Sequence, residues 1–157
     1  MKFAHLIEIN DPLNPLLEPL SRTQLWRGLM LRATEPESFM PQLDRCTLLA
    51  QSGLHVEREL QYGELVLRDT VRFLPQQQVV YDVPAQKGMP HSRLTMTIEE
   101  PEPAILFVRF EYENESSAED DAANAMYDEF RRSAYQEADI DTIRMIRTMA
   151  ESGRLGE

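Results

Sequence analysis

The sequence predicts an α+β fold in which a seven-stranded, curved antiparallel sheet is wrapped around a long C-terminal helix. One strand-like segment lies at the N-terminus, and the stretch from Leu43 to Glu113 divides into six more. After Asn114 the hydrophobic period changes from two residues to nearly four, which indicates a helix. A helix of about thirty residues is roughly 45 Å long. A small antiparallel sheet can bury such a helix only by curving around it.

Two short helices are predicted between the first strand, residues 3–9, and the second. Ser21 and Gln24 have the spacing of a capping box, which marks a helix N-terminus. Pro36 ends this helix near Thr34 and begins a second short helical turn. The apolar face of the first helix consists of Leu25, Trp26, Leu29, Met30 and Ala33.

Six strands are predicted at residues 43–51, 54–62, 65–74, 78–83, 92–99 and 104–113. One hairpin is specific enough to assign a register, because Gly63 can supply the positive φ of a two-residue type II′ turn. The inward pairs are then Tyr62–Leu65, Leu60–Leu67, Arg58–Asp69, Val56–Val71 and Leu54–Phe73. The opposite face carries Glu59–Arg68, Glu57–Thr70 and His55–Arg72, which is typical of a face exposed to water.

The same register places Arg58 opposite Asp69 on an otherwise apolar face. Charges in such a place are tolerated when they are paired and hydrogen-bonded. One interpretation is a structural ion pair, or a pair at the open edge of the sheet. The other is a polar anchor within an apolar pocket, and the sequence leaves both open.

The last hairpin is predicted to turn around residues 100–103, which pairs Ile98 with Leu106, Met96 with Val108 and Leu94 with Phe110. Tyr112 continues this inward face. Ile105 and Phe107 then point outward, where they would form an apolar patch suited to self-association, so a homodimer is one candidate assembly.

The C-terminal helix is predicted to begin with a second capping box, Ser116 and Glu119, and to end at Gly153. Its apolar stripe is predicted to consist of Ala123, Met126, Phe130, Ala134, Ala138, Met145, Ile146 and Met149. The two mid-helix alanines would leave room facing the sheet. Inward-facing methionines either fill a core or form an adaptable cavity wall. The acidic residues of this helix form either its solvated face or a docking surface for a basic partner.

Composition excludes several classes of protein. The formal charge of −11, from 27 acidic and 16 basic residues, argues against nucleic-acid binding. A single cysteine, Cys46, excludes a disulfide within the chain and a cysteine-based zinc site. No apolar run is long enough for a membrane span, and the N-terminus has no signal-peptide pattern, so a cytoplasmic location is expected. The 157 residues are expected to form a single domain, 1–157.

No catalytic, metal-binding or cofactor-binding motif stands out, so neither a metal nor a cofactor is expected. The three histidines, His5, His55 and His91, lie on three different predicted elements. His5 shares its strand face with Phe3 and Ile7, which places it inward. It is either a hydrogen-bonded core residue or a general base or ligand contact.

The order of elements resembles the helix-grip fold of the START-like and birch-pollen-allergen-like (SRPBCC) superfamily. At finer grain, residues 3–10, the segment Leu25-Trp26-Arg27-Gly28-Leu29 and the segment Arg68-Asp69-Thr70-Val71 resemble the AtaL-like family, named for a protein of a fungal acetylaranotin biosynthetic cluster. The resemblance implies a cavity between sheet and helix. Members of the superfamily bind sterols, lipids, hormones or polyketides, and some are cyclases or dehydratases. No catalytic motif transfers onto numbered positions here.

The leading hypothesis from the sequence is a protein that binds a small hydrophobic or amphipathic ligand in that cavity, with Arg58, Asp69 and His5 orienting the ligand's polar group. The alternative is an enzyme of the polyketide cyclase or dehydratase type, with Asp69, His5 or Tyr112 as the acid or base. A scaffold that uses the acidic helix is a third hypothesis. The predicted ligand-binding residues are Trp26, Leu29, Met30, Arg58, Asp69, Tyr81, Met96, Val108, Phe110, Tyr112, Met126 and Phe130.

Overall fold

Seven antiparallel strands form one curved sheet in a computed structural model that describes residues 1–115 and 125–157. The strands are β1 (Lys2–Glu8), β2 (Arg45–Gln51), β3 (His55–Tyr62), β4 (Leu65–Leu74), β5 (Gln78–Val83), β6 (Ser92–Glu102) and β7 (Ile105–Asn114). Their order across the sheet is β1-β7-β6-β5-β4-β3-β2, so only the pairing of β1 with β7 joins strands distant in sequence. The helices are α1 (Arg22–Thr34), a 3-10 turn (Pro36–Ser38) and α2 (Ala125–Glu151).

The capping box of α1 is confirmed. The backbone N–H of Gln24 donates to Ser21 Oγ at 3.0 Å, and the backbone N–H of Ser21 donates to Gln24 Oε1 at 3.0 Å. Both bonds satisfy amides that have no partner within the helix. They fix the start of α1, and Leu25 and Leu29 are then fully buried against the sheet.

The predicted register of the β3–β4 hairpin is also confirmed. Tyr62 pairs with Leu65, Arg58 with Asp69 and Val56 with Val71. Gly63 has a φ of +60°, as the turn requires. A local turn signal therefore fixed the position of a buried ion pair.

The predicted register of the β6–β7 hairpin is wrong by two residues. Ile98 pairs with Val108, Met96 with Phe110 and Leu94 with Tyr112. The chain turns at Pro103 and Ala104, where Ala104 has a φ of +67°, and a bulge between Glu99 and Glu102 absorbs an extra residue of β6. Because side chains alternate with a period of two, a shift of two residues keeps the same residues facing inward.

The predicted stripe of α2 is confirmed at its C-terminal end, where Ile146 and Met149 are buried and Met145 packs against the core, but the rest of the inward face differs from the prediction. The residues turned inward are Asp128, Arg131, Tyr135, Asp139, Thr142, Ile143, Ile146 and Met149. The predicted stripe advanced in steps of four residues, and each such step rotates about 40° beyond a full turn of a 3.6-residue helix. Over the three steps from Met126 to Ala138, the predicted stripe therefore rotates by about a third of a turn around the helix axis. The second predicted capping box, Ser116 and Glu119, and the stripe residue Ala123 lie outside the described residues.

Met126 and Phe130 were predicted to line the helix side of a cavity, and this orientation is wrong. Their side chains are 86% and 73% exposed, because they lie on the far side of α2 from Asp128 and Asp139. Ala134 and Ala138 are also exposed rather than facing the sheet. No helix within 1–115 or 125–157 is long and apolar enough to cross a membrane.

Helices α1 and α2 approach closely at Gly28. A Cβ atom added there would lie 2.6 Å from Cγ2 and 2.8 Å from Cγ1 of Ile146, which is itself fully buried. The backbone at Gly28 is ordinary α-helix, so no special conformation requires a glycine there. The glycine is required because a larger residue would overlap Ile146.

Gly28→Ala is expected to lower the free energy of unfolding by about 1–3 kcal/mol, although alanine has the higher helix propensity. Chemical denaturation measures the change. The substitution should cost less in an Ile146→Ala background, where the clash is relieved. Gly53→Ala is the control, because nothing lies within 4 Å of a Cβ at Gly53. Equal effects at the two glycines would contradict the packing argument.

Candidate functional site

The concave side of the sheet is apolar and fully buried at one end. The wall of this end consists of fully or almost fully buried side chains from both helices and the central strands: Leu25, Trp26, Leu29, Val79, Met96, Val108, Phe110, Ile143, Ile146 and Met149. Trp26 meets Phe73 edge-on at 6.4 Å between ring centroids. Burial of this apolar surface is the main source of stability in the region.

The other end of the concave side is more open and more polar. Apolar side chains packed against the core there are only half-buried: Met30, Phe39, Leu48, Leu94, Tyr112 and Met145. The concave side also carries a group of buried or half-buried polar side chains, which we call the polar belt: His5, Arg32, Arg58, Asp69, Tyr81, Tyr112, Asp139 and Thr142. Apolar walls with a few convergent polar groups are typical of small-molecule sites.

The Arg58–Asp69 pair forms one side of the polar belt. Arg58 Nε donates to Asp69 Oδ1 at 2.8 Å, and Arg58 Nη2 donates to Oδ2 at 2.6 Å. Arg58 Nη1 also donates to the carbonyl of Ala33 at 3.0 Å, which ties the pair to α1. The residues are only 2% and 6% exposed. Burial disfavours the charge of Arg58, but the hydrogen bonds and charge of Asp69 outweigh it and raise the pKa of Arg58.

Two guanidinium groups lie close to the ring of Tyr81. Arg32 Cζ is 5.0 Å from the centroid of its ring and Arg58 Cζ is 5.1 Å from it, both within cation–π range. The Tyr81 hydroxyl is buried and has no hydrogen-bond partner within the described residues. Buried polar atoms are nearly always hydrogen-bonded, so this hydroxyl marks a place where a partner is expected.

Asp139 joins His5 to Tyr112 on the other side of the polar belt. His5 Nε2 lies 2.6 Å from Asp139 Oδ2, and the Tyr112 hydroxyl donates to the same carboxylate at 2.7 and 2.8 Å. Asp139 is fully buried. The ring of Tyr135, one helical turn before Asp139, stacks on Tyr112 at 4.0 Å between centroids. Strands β1 and β7 and helix α2 therefore meet at this cluster.

The burial of this cluster changes the pKa of its acidic groups. Burial raises the pKa of Asp139, while hydrogen bonds from Tyr112 and His5 and the charge of Arg32 act in the opposite direction. Burial and the adjacent Asp139 carboxylate raise the pKa of Tyr112 well above its ordinary range. Tyr112 is thus a proton donor in hydrogen bonds at neutral pH.

Ten of the twelve predicted ligand-binding residues lie on the concave side or on the face of α1 that covers it: Trp26, Leu29, Met30, Arg58, Asp69, Tyr81, Met96, Val108, Phe110 and Tyr112. The structure places Met126 and Phe130 away from them. Whether these ten residues bind a ligand stays a prediction.

Sequence reasoning missed Arg32, Asp139 and Thr142. The sequence does contain a signal for two of them. Asp139, Thr142, Ile146 and Met149 are separated by alternating steps of three and four residues, which places all four on one face of a helix. Arg32 likewise follows Leu25 by seven residues, which places it on the buried face of α1. Each of these polar residues was overlooked because only apolar residues were assigned to the inward faces of the two helices.

The histidines do not come together to form a metal site. Within the described part of the chain, no group of three or more His, Cys, Asp or Glu residues could hold a metal ion. His55 contacts Ser52, while His91 contacts Asp82 and lies 3.2 Å from Glu115. These two sites lie outside the polar belt.

The pKa of His91 is expected to lie above 6.5, mainly because of its hydrogen bond to Asp82. Since the folded-state pKa is raised, the stabilising contribution of this pair is complete below the ordinary histidine pKa. It is lost as the pH rises through the raised value. An NMR titration of the imidazole resonances measures this pKa. Asp82→Asn should lower the pKa of His91 more than Glu115→Gln does, and the reverse order would contradict the assignment.

Comparison with known proteins identifies the family and the fold. The sequence model of a family described as AtaL, acetylaranotin biosynthesis cluster protein L, matches residues 7–153. No curated protein matches this chain.

Solved structures with a similar fold include the di-domain ARO/CYC BexL from the BE-7585A biosynthetic pathway, at 15% identity and a TM-score of 0.69. This match covers 96% of this chain and 50% of BexL, so the chain spans about half the length of that relative. The Zhui aromatase/cyclase from Streptomyces sp. R1128 matches at 12% identity and a TM-score of 0.63, over 98% and 94% of the two chains. Ara h 8.0201 matches at 10% identity and a TM-score of 0.62, over 97% and 98%. At such identities the likeness shows the fold alone, which is the helix-grip fold.

Proposed function

This chain belongs to the AtaL family, and we propose that it binds a small amphipathic molecule between the concave side of the sheet and α2. The observation that carries the proposal is the polar belt itself, where charged and phenolic groups are buried beside an apolar wall. The similar folds include proteins named as aromatase/cyclases, and this supports a ligand of mixed aromatic and polar character.

The buried Tyr81 hydroxyl has a free-energy cost that a bound molecule would offset. A hydroxyl transferred from water into protein without a hydrogen bond costs about 1–3 kcal/mol. A core that served only to stabilise the fold would gain by replacing Tyr81 with phenylalanine. A bound molecule that hydrogen-bonds the Tyr81 hydroxyl and packs against Leu94 and Tyr112 would offset that cost.

The proposed location makes use of the division of the concave side. The fully buried apolar end, around Ile146 and Phe110, holds the helices against the sheet. Half-buried Met30, Leu94 and Tyr112 form the part of the wall that a ligand contacts. Methionine side chains adapt to ligands of irregular shape, and tyrosine offers an apolar ring with a polar hydroxyl. Alanine substitutions at the exposed Met126 and Phe130 are accordingly expected to leave binding unchanged.

Native mass spectrometry of the purified chain, compared with its denatured mass, tests the proposal directly. An additional mass of a few hundred daltons that disappears on denaturation supports a bound ligand and gives its mass. When the protein shows no additional mass, the proposal is tested by titration with the neutral fluorescent probe N-phenyl-1-naphthylamine and its sulfonated analogue 8-anilinonaphthalene-1-sulfonate. Saturable one-site binding of either probe supports the proposal, and the absence of binding by both contradicts it.

A matched pair of substitutions locates the binding. Leu94 faces inward between Tyr81 and Tyr112, whereas its neighbour Thr95 faces outward on the same strand. Leu94→Trp is expected to weaken probe binding at least tenfold by filling the space, and Thr95→Trp is expected to leave it within about twofold. Equal effects of the two substitutions would place the probe elsewhere.

The His5–Asp139–Tyr112 cluster favours a second candidate function, that of an enzyme of the cyclase or dehydratase type. With Asp139 ionised, His5 Nε2–H and the Tyr112 hydroxyl both donate to it, and His5 Nδ1 keeps a lone pair. That nitrogen would remove a proton from a carbon between two carbonyl groups. The resulting carbanion would form a carbon–carbon bond to a third carbonyl carbon, and the alkoxide formed there would take up the proton held by His5. Loss of the second hydrogen of the attacking carbon as a proton, together with departure of the hydroxyl group as water after protonation, would then form a carbon–carbon double bond.

Incubation with a linear polyketide thioester, followed by mass spectrometry, tests this second function. Formation of a product that has lost one water, at a rate reduced at least tenfold by His5→Phe, would support it. A product rate equal to that of a solution without protein would exclude it for this substrate class and leave ligand binding as the function.

A further inference from the structure

We infer that the bound molecule carries a negatively charged oxygen group, such as a carboxylate, which binds Arg32 and the hydroxyl of Tyr81. This inference rests on the proposed function and specifies the chemical class of its ligand. Three features of the polar belt support it, namely the contacts of Arg32, the contacts of the neighbouring carboxylates and the position of Tyr81.

Arg32 is a buried cation that forms few hydrogen bonds. It is 6% exposed, and its one hydrogen bond among residues 1–115 and 125–157 runs from Nε to Thr142 Oγ1 at 3.3 Å. A guanidinium has five N–H donors, so most of its hydrogen-bonding capacity is not used within the described chain. Buried charges are normally paired, since an unpaired one is costly.

The two buried carboxylates of the polar belt are already engaged by other groups. Both oxygens of Asp69 accept hydrogen bonds from Arg58. Asp139 is hydrogen-bonded to His5 and Tyr112, and it influences Arg32 through its charge rather than through a hydrogen bond. An additional anion would therefore give Arg32 the bidentate partner that a planar guanidinium prefers.

Tyr81 supplies the second donor. Arg32 Cζ and Arg58 Cζ lie over its ring, 5.0 and 5.1 Å from the ring centroid. The residue is 4% exposed and its hydroxyl is without a hydrogen-bond partner in the described chain. The two donors, the guanidinium of Arg32 and the hydroxyl of Tyr81, therefore belong to neighbouring residues on the concave side.

The overall charge of the protein makes the inference easy to test. At a formal charge of −11 the molecule as a whole repels anions. A preference for an anionic ligand over its neutral analogue must therefore come from a local positive site rather than from general attraction.

The test compares two fluorescent probes that share one aromatic skeleton, 8-anilinonaphthalene-1-sulfonate and the neutral N-phenyl-1-naphthylamine. Titrations are made with the full chain at physiological salt. We expect the sulfonate probe to bind at least tenfold more tightly than the neutral one. Arg32→Met should remove this preference while changing the affinity for the neutral probe less than threefold. Tyr81→Phe should weaken binding of the sulfonate probe about three- to tenfold.

Arg72→Met is the matched control, because Arg72 lies exposed on the outer face of β4 and its loss changes the net charge equally. It should leave the preference intact. Circular dichroism shows whether Arg32→Met folds, and where it does not, Arg32→Lys and Tyr81→Phe provide the comparison. Lysine should retain part of the preference.

The possible outcomes separate the two proposals. If neither probe binds the unmodified chain, the proposed function fails. If the neutral probe binds as tightly as the sulfonate, the binding function stands and this inference is overturned. The inference is also overturned if Arg32 and Arg72 variants lose the same fraction of affinity for the sulfonate probe.

Discussion

Asp69→Asn is expected to lower the free energy of unfolding by about 3–5 kcal/mol. The substitution keeps the size of the side chain but removes the negative charge opposite Arg58, which is 98% buried and donates to both Asp69 oxygens. Removing one partner of a buried ion pair leaves the other charge uncompensated. Urea denaturation followed by circular dichroism measures the loss.

The same hairpin offers a control on its opposite face. Glu59 and Arg68 form a largely exposed pair at 3.0 Å, and Glu59→Gln is expected to cost less than about 0.5 kcal/mol. The combined substitution Arg58→Met and Asp69→Leu should recover most of the stability lost by Asp69→Asn, because it removes both charges of the pair and leaves neither one unpaired. A cost below 1 kcal/mol for Asp69→Asn would show that the pair contributes little to the fold.

The second large effect is expected at Asp139. Asp139→Ala should lower the free energy of unfolding by about 2–4 kcal/mol, since it leaves the Tyr112 hydroxyl and His5 Nε2 without their acceptor. Asp141→Ala on the same helix is the control, because Asp141 pairs with Arg144 in water and should contribute almost nothing. Similar costs at the two aspartates would contradict the assigned cluster.

Asp139 also gives a pH dependence of definite sign. Because burial raises its folded-state pKa above 3.8, the folded protein holds this proton more tightly than the unfolded chain does. The contribution of Asp139 to stability is therefore greatest at low pH and declines as the pH rises from about 4 through the raised pKa. Asparagine has no such proton, so Asp139→Asn should gain stability relative to the unmodified chain over that interval. The opposite slope would show that the hydrogen bonds outweigh burial.

Much of the fold could be predicted from the sequence because local chemistry determines it. Gly63 specifies a two-residue turn, and the alternating pattern on either side then leaves one register for β3 and β4. Ser21 and Gln24 mark the start of α1 in the same way. These signals depend on residues within a few positions of one another, so no tertiary information is needed.

The β6–β7 register and the inward face of α2 depend on interactions that local patterns do not encode. A bulge within residues 99–102 adds one residue to β6, and several proline and glutamate placements allow the turn. On α2, Phe130 is more hydrophobic than Tyr135 or Asp139, yet the latter two face the sheet. Their partners, Tyr112 and His5, lie more than twenty residues away in sequence. The polar belt can therefore be recognised only once those strands are in place.

The inward side chains of α2 change from polar to aliphatic along the helix, and this difference affects which part of the helix unfolds locally. Its C-terminal half is held by aliphatic side chains such as Ile143, Ile146 and Met149, whereas carboxylates and phenols hold the middle. Amide hydrogens of the C-terminal half should then exchange with solvent only on global unfolding, and those of residues 126–134 through smaller local openings. A molecule seated against the middle of the helix would couple the two halves. Hydrogen-exchange protection of residues 126–134 would then report occupancy of the site without any label on the ligand.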